Sequence, residues 1–307
     1  MIMKNDNYPN LYRCADAASL KAQHAYFLFQ KVYLGSLVLG AVISVSMSMG
    51  SPAVNKWLYT TLSVVLMVGL VILWVMRARQ DDKIWFDGRA VAESAKTATW
   101  RYMMGVRPFR DNADAAFISH LKEIRNARPH LGKFLTAAMD ADGSMITDFM
   151  KAKRSASLQE RRAFYAGSRI RDQKVWYRDN ANANLARGAG WFWTIAVLQV
   201  VVVIVAMVQA VSGGWAINPT PIITTFAAAM AAWSQMKRHE ELAQAYALAA
   251  QELEEIEAIA DNPAFTDQFS QLVEQAENSI SREHTMWCAR RDVRLTKMAG
   301  PTPTTIA

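Results

Sequence analysis

A chain of 307 residues with 34 Lys+Arg against 27 Asp+Glu is basic and long enough for two modest domains. Two cysteines exclude a disulfide-framed scaffold. The charges are clustered and leave long stretches with none, which is incompatible with a soluble surface along the whole chain.

Residues 1–31 include Asp6, Arg13, Asp16 and Lys21. That opening does not read as a cleaved signal peptide with an adjacent apolar region. Val32–Asn55 then carries no charge, and after Lys56 neither does Trp57–Met76. A bilayer core about 30 Å thick needs roughly 20 apolar residues per helix, so two spans are expected near 34–50 and 57–76. Within the first, Ser36, Gly40, Ser44 and Ser48 recur every fourth residue. This small-residue ridge lets another helix approach, either the second span or a second copy of the chain.

Arg77–Arg187 follows, with 22 Lys+Arg and 13 Asp+Glu, a net of +9. The turns at Gly50–Lys56 and Ser212–Thr220 carry one charge and none, so positive charge predicts a cytoplasmic Arg77–Arg187 and cytoplasmic termini. Cys14 and Cys288 are then expected as reduced thiols. Pro108, Pro129 and Asp140–Ser144 mark 107–158 as short helices joined by loops.

Gly188–Met236 is uncharged throughout, too long for one helix, and broken at Ser212-Gly213-Gly214 and Asn218-Pro219. It predicts spans at 190–211 and 217–236. Gln199 and Gln209 are the strongly polar residues of the third span. Such amides must be paired or wetted at membrane depth, within one subunit, between subunits or in a shared lumen. Beyond the fourth span, Leu242, Tyr246, Ala249, Leu253, Ile256 and Ala260 form a heptad seam, expected to help assembly in the cytosol. Asp261–Pro263 ends that helix, and Phe269, Val273, Ala276, Ile280 and Trp287 mark the buried stripe of the next. No alternating strand pattern of useful length occurs. The fold class predicted is an all-α membrane protein, four transmembrane helices in two hairpins with long cytoplasmic helical extensions.

Catalytic signatures are missing. There is no GxxxxGK[ST], GxGxxG or GxSxG, and His239–Ala243 starts like HExxH but lacks the second histidine. In the run ISREHTMWCARR, Ile280–Arg291, His284 and Cys288 stand four apart, but two ligands do not make a metal site. No enzyme activity, metal or cofactor is expected. What stands out is arginine interleaved with aromatics in three clusters: Trp100, Arg101, Tyr102 and Arg107 in the first half, Arg169, Arg171, Trp176, Tyr177 and Arg178 in the second, and Arg282, His284, Trp287 and Arg291 near the end. Guanidinium groups bind phosphate bidentately and aromatic faces stack on bases, which suits a small phosphorylated nucleotide. The same residues also serve as helix-packing pairs or headgroup anchors.

The segments YAGSRIRDQKVWYRDNANAN (Tyr165–Asn184), YALAAQEL (Tyr246–Leu253) and AENSISREHTMW (Ala276–Trp287), with the Trp191/Trp193-led span, resemble the DUF4231 form of the SLATT family. RAVAESAKTATWRYMMGVRPF (Arg89–Phe109), after the first hairpin, resembles a SLATT unit of another subtype. The resemblance implies two tandem units, 1–106 and 159–295, joined by 107–158 and followed by a flexible tail, 296–307. It further implies a bacterial inner-membrane effector of an anti-phage conflict system. Such an effector oligomerises and permeabilises the membrane when a cyclic or linear nucleotide second messenger binds its cytoplasmic helices. The expected partners are the lipid bilayer, further copies of the chain and that nucleotide, with no DNA or RNA polymer. The rival reading is a constitutive small-ion channel or membrane scaffold without a nucleotide ligand.

Overall fold

The computed structural model describes residues 3–138, 143–260 and 268–281. Among these, every regular element is helical. The first half gives α1 (Asn10–Ser46), α2 (Pro52–Arg79) and α3 (Asp81–Met104). The connector is short helices: α4 (Ala113–Asn126), α5 (Gly132–Ala137), α6 (Asp148–Ser155) and α7 (Leu158–Tyr165). A π-helical turn, Ala166–Arg171, leads into α8 (Asp172–Ser212), α9 (Thr220–Lys237) and α10 (His239–Ala260), and α11 runs over 269–281.

Local chemistry fixes these boundaries. Pro52 opens α2 behind an extended Ser51. Thr147 caps α6 through Met150 N, and Ser157 with Glu160 forms a full capping box on α7. The two hairpins end alike. Gln80 (φ 50°) follows α2 and Arg238 (φ 49°) follows α9, each left-handed and each bonding back to the carbonyl four residues earlier. Neither is glycine, so each left-handed turn carries a steric cost of about 1–2 kcal/mol. In both cases the next helix starts at once. The same single-residue corner in both halves is structural support for an ancestral duplication.

The chain divides into two compact units, and neither is one half of it. Unit 2 takes Gln23–Asp81 and Asn180–Gln244. There the ridge of α1 is used within the chain. Gly40 faces Leu62 and Leu66 of α2, with a Cβ position 3.6 and 3.9 Å from their methyl groups, and Ser36 Oγ lies 3.0 Å from the Cβ position of Gly69. Ser44 and Ser48 remain exposed. Phe27 of α1 meets Trp233 of α9 edge-on at 5.6 Å. Trp57, Trp74, Phe192, Trp193 and Met207 all stand exposed, a surface suited to lipid rather than water. Three helical stretches, within Asn10–Met49, Pro52–Met104 and Leu158–Ser212, are long and apolar enough to cross a membrane. α9, with 18 residues and a polar end at Ser234-Gln235, falls short of that standard.

Gln209 donates to Asn218 Oδ1 (3.0 Å) and to Thr220 Oγ1 (3.3 Å). The hairpin therefore satisfies this amide locally, and of the alternatives open to it pairing within one subunit is the one seen. Gln199 is exposed on α8 with no hydrogen bond among the described residues.

Unit 1 takes Met1–Ala22, Asp82–Asp179 and Ala245–Ala307. Its main core gathers Trp100, Tyr102, Phe117, Tyr165, Ile170, Leu253 and Val273. The seam of α10 points into that core: Ala249, Leu253 and Ile256 are buried, with Tyr246 and Ala260 packed beside them. The apolar face of this seam is covered by its own chain. A second core joins Cys14, Ala15, Val91, Ala92 and Leu131. Cys14 is a buried thiol that donates to Ala138 O (3.2 Å) and Asn10 Oδ1 (3.3 Å). Asp87 of α3 takes Arg128 (3.2 Å) and His130 (2.9 Å), pinning the connector.

Gly40→Ile drives a branched side chain into Leu62 and Leu66 and should cost about 1–3 kcal/mol, read as a lower unfolding midpoint in detergent. Ser44→Ile, on the exposed continuation of the ridge, should leave that midpoint unchanged within about 0.5 kcal/mol.

Candidate functional site

The most strongly built polar feature lies inside unit 1. The π turn between α7 and α8 inserts an extra residue per turn and swings both Arg169 and Ile170 inward. Arg169 is 1% exposed and Glu277 of α11 is fully buried. They pair bidentately, Nε to Oε1 at 2.8 Å and Nη2 to Oε2 at 2.7 Å. Tyr165 Oη (3.0 Å) and Thr97 Oγ1 (2.9 Å) donate to the same carboxylate. The guanidinium also lies over the Trp100 ring, 5.5 Å from its centre. Burial works against the charged guanidinium, but the Glu277 carboxylate outweighs it, and the net shift is upward. Burial first, then Glu277, raises the Tyr165 phenol well above its ordinary range and keeps it a neutral donor. Every partner of Glu277 is thus fixed, which is the condition under which a buried ion pair is tolerated.

Beside this pair is a cavity of about 250 Å³, lined by Tyr8, Tyr12, Lys96, Trp100, Arg169, Asp172 and their neighbours. It lies near the lower end of small-molecule sites. Lys96 of α3 reaches it with a side chain 19% exposed, and its nearest carboxylate oxygen, on Glu93, is 3.9 Å away. Burial pulls the Lys96 ammonium below the ordinary lysine range, with Glu93 only partly offsetting it. Tyr12 packs on Tyr8 at 4.4 Å, and Tyr8 Oη accepts from Trp100 Nε1 at 3.3 Å. Asn5, Ser168 and Gln173 line the cavity as well. The wall therefore offers one weakly partnered cation, an aromatic edge, and donors and acceptors suited to hydroxyl and amine groups.

The predicted ligand residues divide. Arg169 lines this cavity, and its guanidinium is held in the bidentate pair with Glu277. Arg171 pairs with Glu257 of α10 at 2.7 Å, and Lys174 engages the same carboxylate. Those contacts, the Lys174 hydrogen bond first, hold the Glu257 carboxyl below its ordinary range despite partial burial. Trp176 is 42% exposed and packs edge-on against Tyr177 and Tyr246, at 5.1 and 5.3 Å. Tyr177 is buried and donates to Ile280 O at 3.3 Å. Arg282, His284, Trp287 and Arg291 lie outside the described residues, as does Cys288. Among the described residues no group of three metal-ligating side chains forms.

Sequence reasoning passed over Glu277 and Lys96. The signal for Glu277 was present: a carboxylate on the apolar stripe Phe269–Val273–Ala276–Ile280 must find a buried cation. Lys96 interrupts the buried run Val91, Ala92, Ala95, Ala98 in the same way.

Three helices long and apolar enough to cross a membrane, in a chain whose described elements are all helical, suit a membrane protein. The comparison with protein families agrees. Residues 9–162 match SMODS and SLOG-associating 2TM effector domain 3, and residues 165–287 match SMODS and SLOG-associating 2TM effector domain 1. The chain belongs to the SLATT family and carries two of its domains in tandem. Comparisons with curated proteins and with solved structures gave no match. The cavity is thus built from both domains, Lys96 and Trp100 from the first and Arg169 and Asp172 from the second.

Glu277→Ala leaves the Arg169 guanidinium buried and uncompensated and should cost about 3–5 kcal/mol, measured by denaturant unfolding of the full chain in detergent.

Proposed function

We propose that this protein is an inner-membrane effector of a bacterial nucleotide-signalling, anti-phage system. A cyclic or linear nucleotide second messenger binds the unit 1 cavity, and a homo-oligomer then opens or disrupts the bilayer. The observation that carries this reading is the position of the cavity. It draws its wall from both effector domains, so a ligand there would favour whichever arrangement of the two it binds better, and that differential affinity is what a ligand-driven switch requires. Its chemistry fits as well: Lys96 for phosphate, Tyr12 for a base, Asp172 and Gln173 for hydroxyl or amine groups.

In this reading four helices span the membrane in two hairpins and both termini are cytoplasmic. α9 is the fourth, because its 18 residues rise about 27 Å against a core of about 30 Å. Trp215 before it and Trp233 near its end suit the two interfaces. Four helices are too few to enclose a water-filled lumen, hence the oligomer. With Gln209 satisfied in its own hairpin, Gln199 is the amide left to pair between copies or face a lumen.

Direct titration of the purified chain with a panel of cyclic and linear nucleotides tests the site. One of them should bind, and Lys96→Ala should weaken it about 10-fold or more, the loss expected for a charge-assisted bond. Affinity should also fall as pH rises through the lowered Lys96 pKa, at a pH where an ordinary lysine is still charged. Equal binding to Lys96→Ala, or no binding across the panel, would move the reading to a scaffold or channel without a nucleotide ligand.

A further inference from the structure

Each apolar stretch of unit 2 has basic residues at its edge: Lys31 on α1, Arg77 and Arg79 on α2, Arg187 on α8 and Lys237 on α9. Arg79 holds Asp81 in a bidentate pair, 2.8 and 3.2 Å. Lys31, Arg187 and Lys237 form no ion pair among the described residues. The two lysines share one aromatic partner. Lys31 and Lys237 place their ammonium groups 5.3 and 5.0 Å from the centre of the same Trp233 ring, and Lys237 lies 3.5 Å from the centre of Phe27. Lys31 and Arg187 are the charged groups whose fields act on Lys237, and both repel it. Carboxylates are not far off on α10. Glu241 takes Arg238 at 3.3 Å, and Glu240 lies by Gly188 without an ion pair.

Three like charges held together without a counter-ion are costly unless an anion sits among them. Aromatic rings under the two ammonium groups leave their outer N–H donors free for that anion. We propose that Lys31, Arg187 and Lys237 form a binding site for the phosphate of an acidic phospholipid headgroup, with Trp233 and Phe27 as its apolar floor. The source is a lipid because each cation directly adjoins an uncharged apolar run: Val32–Asn55 follows Lys31, and Gly188–Met236 lies between Arg187 and Lys237. A headgroup reaching that depth brings its acyl chains alongside the exposed apolar helix faces. The site rests on the membrane-spanning reading and is independent of the nucleotide cavity. It would make acidic lipid part of the folded hairpin base, where the left-handed corner at Arg238 connects α9 to α10.

The test uses the full chain in vesicles of mixed phosphatidylglycerol and phosphatidylcholine. Flotation is scored first, then the lipid retained per protein after mild detergent extraction is measured by native mass spectrometry. Wild type should retain phosphatidylglycerol in preference to phosphatidylcholine. Each of Lys31→Gln, Arg187→Gln and Lys237→Gln should cut that preference about fivefold. The control Lys122→Gln/Arg125→Gln, on exposed α4, should keep it. High salt should leave floated wild type in the membrane but lower its preference. A floated chain with no preference, or one whose preference survives the three substitutions, overturns the site alone. A chain that does not float overturns the membrane reading too. Preference abolished by millimolar inorganic phosphate would reassign the cluster to a soluble anion and overturn the lipid source.

Discussion

Unit 1 is organised around one carboxylate. Glu277 is buried on α11, and it is tolerated there because four donors converge on it: two guanidinium nitrogens, a phenol and a threonine hydroxyl. Those donors come from α3, α7 and the π turn before α8. Satisfying the carboxylate therefore ties α11 to two stretches remote from it in sequence, α3 and the continuous α7–π turn, and removing either ion of the pair would leave an unpaired charge in an apolar core. Trp100 adds its ring face to the guanidinium and its indole N–H to Tyr8, which extends the same network to the N-terminal segment. The cavity lies beside the pair, with Trp100 and Arg169 in its wall.

The membrane unit solves its polar problem locally. Gln209 is answered by Asn218 and Thr220 in its own hairpin, and the serine and glycine of α1 seat α2. Each hairpin ends in a single left-handed residue, Gln80 after α2 and Arg238 after α9.

Much of this was legible in the sequence, and the failures have physical reasons. Uncharged runs reveal apolar helices whatever packs on them, so α1, α2 and α8 were plain. α9 was harder to fix because Pro219 and Ser234-Gln235 dilute it at both ends. The heptad of α10 correctly marked a buried face, but periodicity cannot say whether the covering surface belongs to the same chain. Arg169 was read as an anion grip because its aromatic neighbours suit one, whereas its anion is a residue 108 positions away. Glu277 and Lys96, isolated charges on apolar stripes, carried the information that would have found the pair and the cavity.

The central claim is that a ligand in the cavity built from both domains controls the membrane. The direct measurement is dye release from sealed liposomes carrying the full chain, titrated with the nucleotide that binds it, for wild type and Lys96→Ala. The account predicts release from wild type only when the nucleotide is present, with the dose curve of Lys96→Ala displaced to about 10-fold higher nucleotide or more. Release that ignores the nucleotide, or an intact bilayer around folded, nucleotide-bound wild type, would contradict it.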